Sequence, residues 1–299
     1  MTTTQVPPQP ETVERTEADD PQLKNLIMAI RDLPAMPHVA SKVLELSSDP
    51  DTSADILQKV IADDQAMTAR ILKIANSAMY ACSRRIKTLS EAIVMLGFNS
   101  IRSLVVTSAA RNLYSTGSAR MGLKERLLWE HSIGCAFACR LLVQKRKPAL
   151  QEEAFLAGLM HDIGKLVLNL QLPEEFEEIV QIVYNENRDF HETELELLGF
   201  DHARVGSLLV NKWKLSPTLE EVIGHHHNPA EMTTDRPLLL FLDLANQICQ
   251  KYGFGFQEQP DIDLVALPSN ATLGFTEEEF ADLARQLQQT LEVEMEVFI

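Results

Sequence analysis

Basic charge is what this chain has too little of. Its 299 residues carry 27 Lys and Arg against 43 Asp and Glu, a formal net charge of −16. So acidic a chain repels polyanions except at a local basic patch, so nucleic acid is not an expected partner. The obvious patch, Lys145-Arg146-Lys147, reads as the solvated last turn of a helix. Aromatic residues make up only 6%, which leaves a core built mainly from aliphatic side chains. Cysteine is sparse, and none of Cys82, Cys135, Cys139 and Cys249 forms a Cys-x-x-Cys pair. Cys135 and Cys139 lie four apart on a helical pattern and read as small buried hydrophobes. No long uninterrupted apolar run is present, so no membrane span is expected. Met1 to Asp20 lacks the apolar stretch of a secretory signal, and the expected location is the cytoplasm.

Strand-type alternation is also scarce, and helical spacing takes its place. Val39, Val43, Leu44 and Leu46 begin one helix, and Thr52-Ser53 offers an N-cap before Ile56, Leu57, Val60 and Ile61. Asp64 precedes Met67, Ile71, Leu72 and Ile74. Ser90 is placed to cap Ile93, Val94 and Leu96, with Gly97 as a stop. Thr276 and Glu279 form a capping-box pattern before Phe280, Leu283, Leu287 and Leu291, a terminal amphipathic helix that reads as packed on its own domain. The fold class is therefore all-α, in two helical lobes. The expected division is a disordered tail over 1–21, an N-terminal lobe over 22–116, a second lobe over 117–254 and a C-terminal extension over 255–299. The boundary between the lobes falls at the small, polar Ser115-Thr116-Gly117-Ser118.

The chemistry concentrates in the second lobe. His161-Asp162, in Gly158-Leu159-Met160-His161-Asp162-Ile163-Gly164-Lys165, sets a nitrogen donor beside an oxygen donor, a pairing suited to a divalent or transition metal. His131 lies upstream, and Asp201-His202 and His225-His226-His227 lie downstream. Leu219, Val222, Ile223 and His226 share one helical face, which turns His226 inward and His225 outward. Adjacent residues on a helix diverge by about 100°, so His226 and His227 reach one ion only through an irregular turn or a helix end. Pro229 predicts such an ending. The competing reading is a set of hydrogen-bonded core histidines.

These residues, over about Trp129 to Gln250, resemble the HD superfamily of metal-dependent phosphohydrolases. The first half narrows the resemblance. Leu33-Pro34-Ala35-Met36-Pro37, Asp64-Gln65-Ala66-Met67-Thr68-Ala69-Arg70-Ile71-Leu72-Lys73-Ile74-Ala75-Asn76-Ser77, Leu89-Ser90-Glu91-Ala92-Ile93-Val94-Met95-Leu96-Gly97 and His226-His227-Asn228-Pro229 look like the HDOD family. The resemblance implies an all-helical bacterial signalling module related in fold to the HD-GYP cyclic-di-GMP phosphodiesterases. It implies a regulatory or scaffold role toward a signalling protein or nucleotide. His131, His161, Asp162, His202, His226 and His227 match positions that are metal ligands in active relatives. Lys165 matches a lysine that contacts substrate phosphate, so Asp162 and Lys165 are the catalytic candidates if the chain is an enzyme. The implied cofactor is one or two ions of iron, nickel, zinc or manganese, which imidazole-rich sites suit. Two departures are visible. Relatives close the site with Asp in an Ala-Asp pair, where this chain has Ala245-Asn246, with Asp243 a possible substitute one helical turn earlier. The Gly-Tyr-Pro loop of the cyclic-di-GMP enzymes is absent.

Overall fold

A helix in this chain starts where a short polar side chain can satisfy its first free N–H groups. The computed structural model describes residues 30–80, 84–115, 121–229, 237–255 and 258–298. The expected tail over 1–21, most of the Ser115–Ser118 boundary and Cys82 lie outside these residues. All elements among the described residues are helical.

Helix α1 spans His38–Ser47, α2 Ala54–Ala62 and α3 Gln65–Ala75. Ser53 caps α2 by accepting from Ile56 N at 3.4 Å, and Asp64 caps α3 by accepting from Met67 N at 2.9 Å. Helix α4, Leu89–Tyr114, is capped by Thr88 rather than by Ser90. Thr88 and Glu91 form a capping box: Thr88 Oγ1 accepts from Glu91 N at 3.2 Å, and the Glu91 carboxylate accepts from Lys87 N at 2.7 Å. Ser90 instead donates to Gln58 Oε1 on α2. The stop expected at Gly97 is a break inside α4, where φ is 79° and ψ 169°, a left-handed conformation that glycine adopts without a Cβ penalty. By length and composition α4 meets the requirement for a membrane span, but its most apolar window is 56% buried within the protein, as in a core helix.

The second half contains α5 (Leu123–Arg146), α6 (Gln151–Met160), α7 (Ile163–Gln171), α8 (Pro173–Glu186), α9 (Phe190–Leu198), α10 (His202–Lys212), α11 (Pro217–Gly224) and α12 (Pro237–Lys251). A short α13 (Pro268–Leu273) leads to α14, Glu277–Phe298. Helix α5 is the central column, with α6, α12 and α14 packed along it. Cys135, Cys139 and Cys249 are buried hydrophobes at these contacts. The capping box at α14 forms as expected, Glu279 N donating to Thr276 Oγ1 at 3.2 Å and Thr276 N to Glu279 Oε2 at 3.0 Å. The helix lies on its own chain: the Arg146 guanidinium reaches Glu279 Oε2 at 2.8 Å, and Trp129 Nε1 donates to Phe298 O at 3.2 Å. Lys145 meets Asp282 at 3.1 Å, so two cations of the 145–147 patch are paired with acids of α14. Buried aliphatic and aromatic side chains from both halves form one continuous core.

Candidate metal centre

His161 and Asp162 form the turn between α6 and α7. Helix α6 ends at Met160, and α7 begins at Ile163. The turn is held against α10 by the lack of a side chain at Gly164. A Cβ there would sit 1.9 Å from the carbonyl oxygen of His202, so no larger residue fits without moving a backbone. This close approach brings the first residue of α10, His202, onto Asp162.

The Asp162 carboxylate is the hub. Its Oδ1 lies 3.1 Å from His202 Nε2, 3.5 Å from His161 Nε2 and 3.8 Å from His226 Nε2. Its Oδ2 lies 3.5 Å from His131 Nε2, on α5, and 2.8 Å from Lys165 Nζ, on α7. His227 joins through His202, with the two Nε2 atoms 2.9 Å apart; His226 Nε2 is 3.3 Å from the same atom. Helix α11 ends at Gly224, so His226 and His227 lie beyond it in the irregular turn that an adjacent pair requires. His226 is thus buried by the turn and not by the helix face that its spacing suggested. His225 stays outside the cluster, its Nδ1 bonded to Glu221 O at 2.8 Å.

The outer nitrogens of these rings fix the direction of the inner ones. Nδ1 of His131 bonds to Phe254 O at 2.7 Å, Nδ1 of His161 to Gly158 O at 2.8 Å and Nδ1 of His226 to Ile223 O at 2.7 Å. A carbonyl only accepts, so each Nδ1 carries the proton, and each neutral ring presents the Nε2 lone pair to the centre. His202 uses a carboxylate instead: its Nδ1 donates to Glu194 Oε2 at 2.5 Å, and its backbone N–H meets the same oxygen at 2.9 Å. Such outer partners orient metal-binding histidines and raise their basicity.

Burial sets the charges. It pulls His131, His226 and His227 below the ordinary histidine value, and His161 down to about 4, so these rings are neutral at pH 7. His202 is also disfavoured as a cation by burial, the largest single effect, but Glu194 and Asp162 together outweigh it and hold the ring up to about 9. Burial alone would raise Asp162; His161, Lys165 and His202 hold it well below the usual carboxylate range.

Among the described residues, the buried atoms without a hydrogen-bond partner include three at this cluster: His161 Nε2, Asn246 Oδ1 and Glu194 Oε1. An orphaned buried acceptor is costly, and a cation is one group that satisfies it. Asn246, on α12, lies beside the His131 ring. Asp243, the other candidate to complete the site, is raised by burial and lies against Ser269 of α13. The donor set suits a divalent or transition-metal ion, with His131, His161, Asp162, His202, His226, His227 and Asn246 brought together and Lys165 against Asp162.

Three participants escaped the sequence reading. Cys135 Sγ lies 3.6 Å from His131 Nε2, and their separation of four residues on α5 was the available signal. His191 stacks on His227 with ring centroids 4.5 Å apart and pairs with Asp201 at 2.8 Å. Glu194 gave no signal, because a glutamate on an amphipathic helix reads as solvated.

The sequence model of the HDOD domain matches residues 33–229. An HDOD domain protein of unknown function from Geobacter sulfurreducens has a solved structure similar to this one, with a TM-score of 0.74 and 25% identity, covering 92% of this chain and 98% of that one. A candidate phosphohydrolase from Shewanella amazonensis gives a TM-score of 0.70 at 27% identity, covering 92% and 97%. An uncharacterized protein of Treponema pallidum is 27% identical over 223 residues, 73% of this chain and 42% of that protein. The protein YuxH of Bacillus subtilis is 30% identical over 121 residues, 40% of this chain and 27% of YuxH. The chain therefore spans less than half the length of these two relatives. The family match covers most of the chain and both halves of the fold, and this chain belongs to the HDOD family.

Proposed function

We propose that this chain is a regulatory or scaffold module of bacterial signal transduction, acting in the cytoplasm and holding one or two metal ions in its HD-like lobe. The observation that carries the reading is Asn246. Five histidines and one buried carboxylate converge, yet the position that supplies an anionic oxygen in active relatives holds a neutral amide. His131, His161, Asp162, His202, His226 and His227 would hold the ion or ions, with Asn246 as a weak oxygen donor. When bound, such an ion supplies Lewis acidity toward a phosphoryl oxygen. Asp162 contributes the buried negative charge, and Glu194 holds His202 in place through Nδ1. Lys165, fixed to Asp162 at 2.8 Å, brings a cation to the rim of the site. The output in this reading is binding of a signalling protein or a nucleotide.

A second reading, metal-dependent hydrolysis of a nucleotide or phosphoester, is favoured by that same Lys165 and by the likeness to the Shewanella candidate phosphohydrolase. The two readings separate in one experiment. Wild-type protein and Asn246→Asp are loaded with iron, nickel, zinc or manganese, their metal content is measured, and both are assayed on a panel of nucleotides and phosphoesters. The regulatory reading expects no turnover by loaded wild type. Turnover confined to Asn246→Asp marks an enzyme scaffold disabled at that residue, whereas turnover by wild type overturns the regulatory reading in favour of hydrolysis.

A further inference from the structure

A second charged site lies away from the histidine cluster, where α14 meets α3 and α4. A cavity of about 260 Å³ is lined by Arg70, Lys73, Thr107, Ser108 and Arg111, with Val297 and Phe298 as its apolar wall. Two guanidinium groups, of Arg70 and Arg111, line it in a chain whose net charge is −16, and among the described residues no carboxylate lines the cavity. The Arg111 Nε donates to Phe298 O at 3.1 Å, which aims the guanidinium into the space. Among the described residues, no hydrogen bond or ion pair engages the two terminal nitrogens of Arg111. Arg70 is held by Ser108 Oγ at 3.3 Å, Ser108 O at 3.4 Å and Asn112 Oδ1 at 2.5 Å. Ser108 accepts from Arg70, so its own hydroxyl hydrogen is free to donate. Burial, then the neighbouring Arg70, makes the Arg111 cation less favourable than usual. Like charges gathered in a partly desolvated space are costly without an anion between them.

We propose that this cavity binds a single small oxyanion group, phosphoryl or carboxylate, gripped by Arg70 and Arg111 with Ser108 as a hydroxyl donor. The paired guanidinium forks supply the planar, charge-assisted bonds that such groups accept. The volume is below that of a typical cofactor pocket, so the site takes the anionic group of a small ligand and not a whole dinucleotide. A bound anion would join α3 and α4 of the first half to the last turn of α14.

The two tryptophans allow a local test. Trp129 Nε1 shares the Phe298 carbonyl with Arg111, whereas Trp213 Nε1 donates to Pro34 O at 2.9 Å, elsewhere in the fold. The indole N–H resonances of 15N-tryptophan-labelled full-length protein are followed while inorganic phosphate, or acetate, replaces chloride at constant ionic strength. The expected result is a saturable shift of Trp129 with Trp213 unmoved. Whichever anion saturates at lower concentration identifies a phosphoryl or a carboxylate site. Arg70→Gln, and separately Arg111→Lys, should weaken the affinity about tenfold or more through loss of a charge-assisted fork. An unchanged Trp213 resonance shows that each variant is folded. No saturable shift of Trp129 with either anion, or an affinity unaltered in both variants, overturns the proposal.

Discussion

Each histidine of the cluster has its own environment, and this makes stability depend on pH in two opposed ways. His161 is held at about 4 against an ordinary 6.5. As the pH falls from 6.5 toward 4 the unfolded chain takes up a proton that the native ring refuses, so stability is lost in that window. His202 is held up to about 9 from the same 6.5, so the native state keeps a proton that the unfolded chain has released. Its contribution is complete below 6.5 and is lost as the pH rises toward 9. Metal-free protein should therefore be most stable near pH 6.5, with the acid limb steepened by the lowered His131, His226 and His227. The urea midpoint measured from pH 4 to 9 with a chelator present tests this, and a midpoint still rising at pH 9 contradicts it. At this scale the inner donors were legible because His161-Asp162 and the spaced histidines are rare residue types in a rare order. The outer partners were not: the carbonyls of Phe254, Gly158 and Ile223 belong to the backbone, and Glu194 meets His202 only after two helices fold together.

Helices are placed by their caps and by a few close approaches. Ser53, Asp64 and the Thr276–Glu279 box were readable because a capping side chain acts within three residues of its own position. At α4 two hydroxyl residues stood close together, and Glu91 decided for Thr88 by completing the reciprocal box that Ser90 lacks. The break at Gly97 was readable as a stop, but its continuation by a second helical segment depends on packing. The packing of α7 on α10 left no mark in the sequence beyond two glycines, Gly164 and Gly206, which face each other across it. Gly164→Ala should push these helices apart, because the new methyl group meets the His202 carbonyl at 1.9 Å. Overpacking of this kind costs about 1–3 kcal/mol. The expected outcome is a lower unfolding midpoint together with reduced metal content, since Asp162 and His202 separate. A variant with unchanged midpoint and unchanged metal content removes the close approach from the account.

Over the whole molecule, the helical class and the location of the site in the second half were legible from periodicity and from the order of the histidines. The seating of α14 was readable in direction only, as an amphipathic helix on its own domain. Its partners, Arg146 from the end of α5 and Arg111 from α4, are brought together by the tertiary fold. A metal that binds the native state and not the unfolded chain adds to stability by mass action, about 2.7 kcal/mol at a hundred times the dissociation constant. In the proposed function the buried cluster around Asp162 is a metal site. The most direct test of this is elemental analysis of wild type and Asp162→Ala, both purified without a histidine tag or added metal. The expected result is one or two equivalents of a transition metal in the wild type and a sharp loss in Asp162→Ala. Fully folded wild type without metal, or equal metal in both proteins, would contradict it.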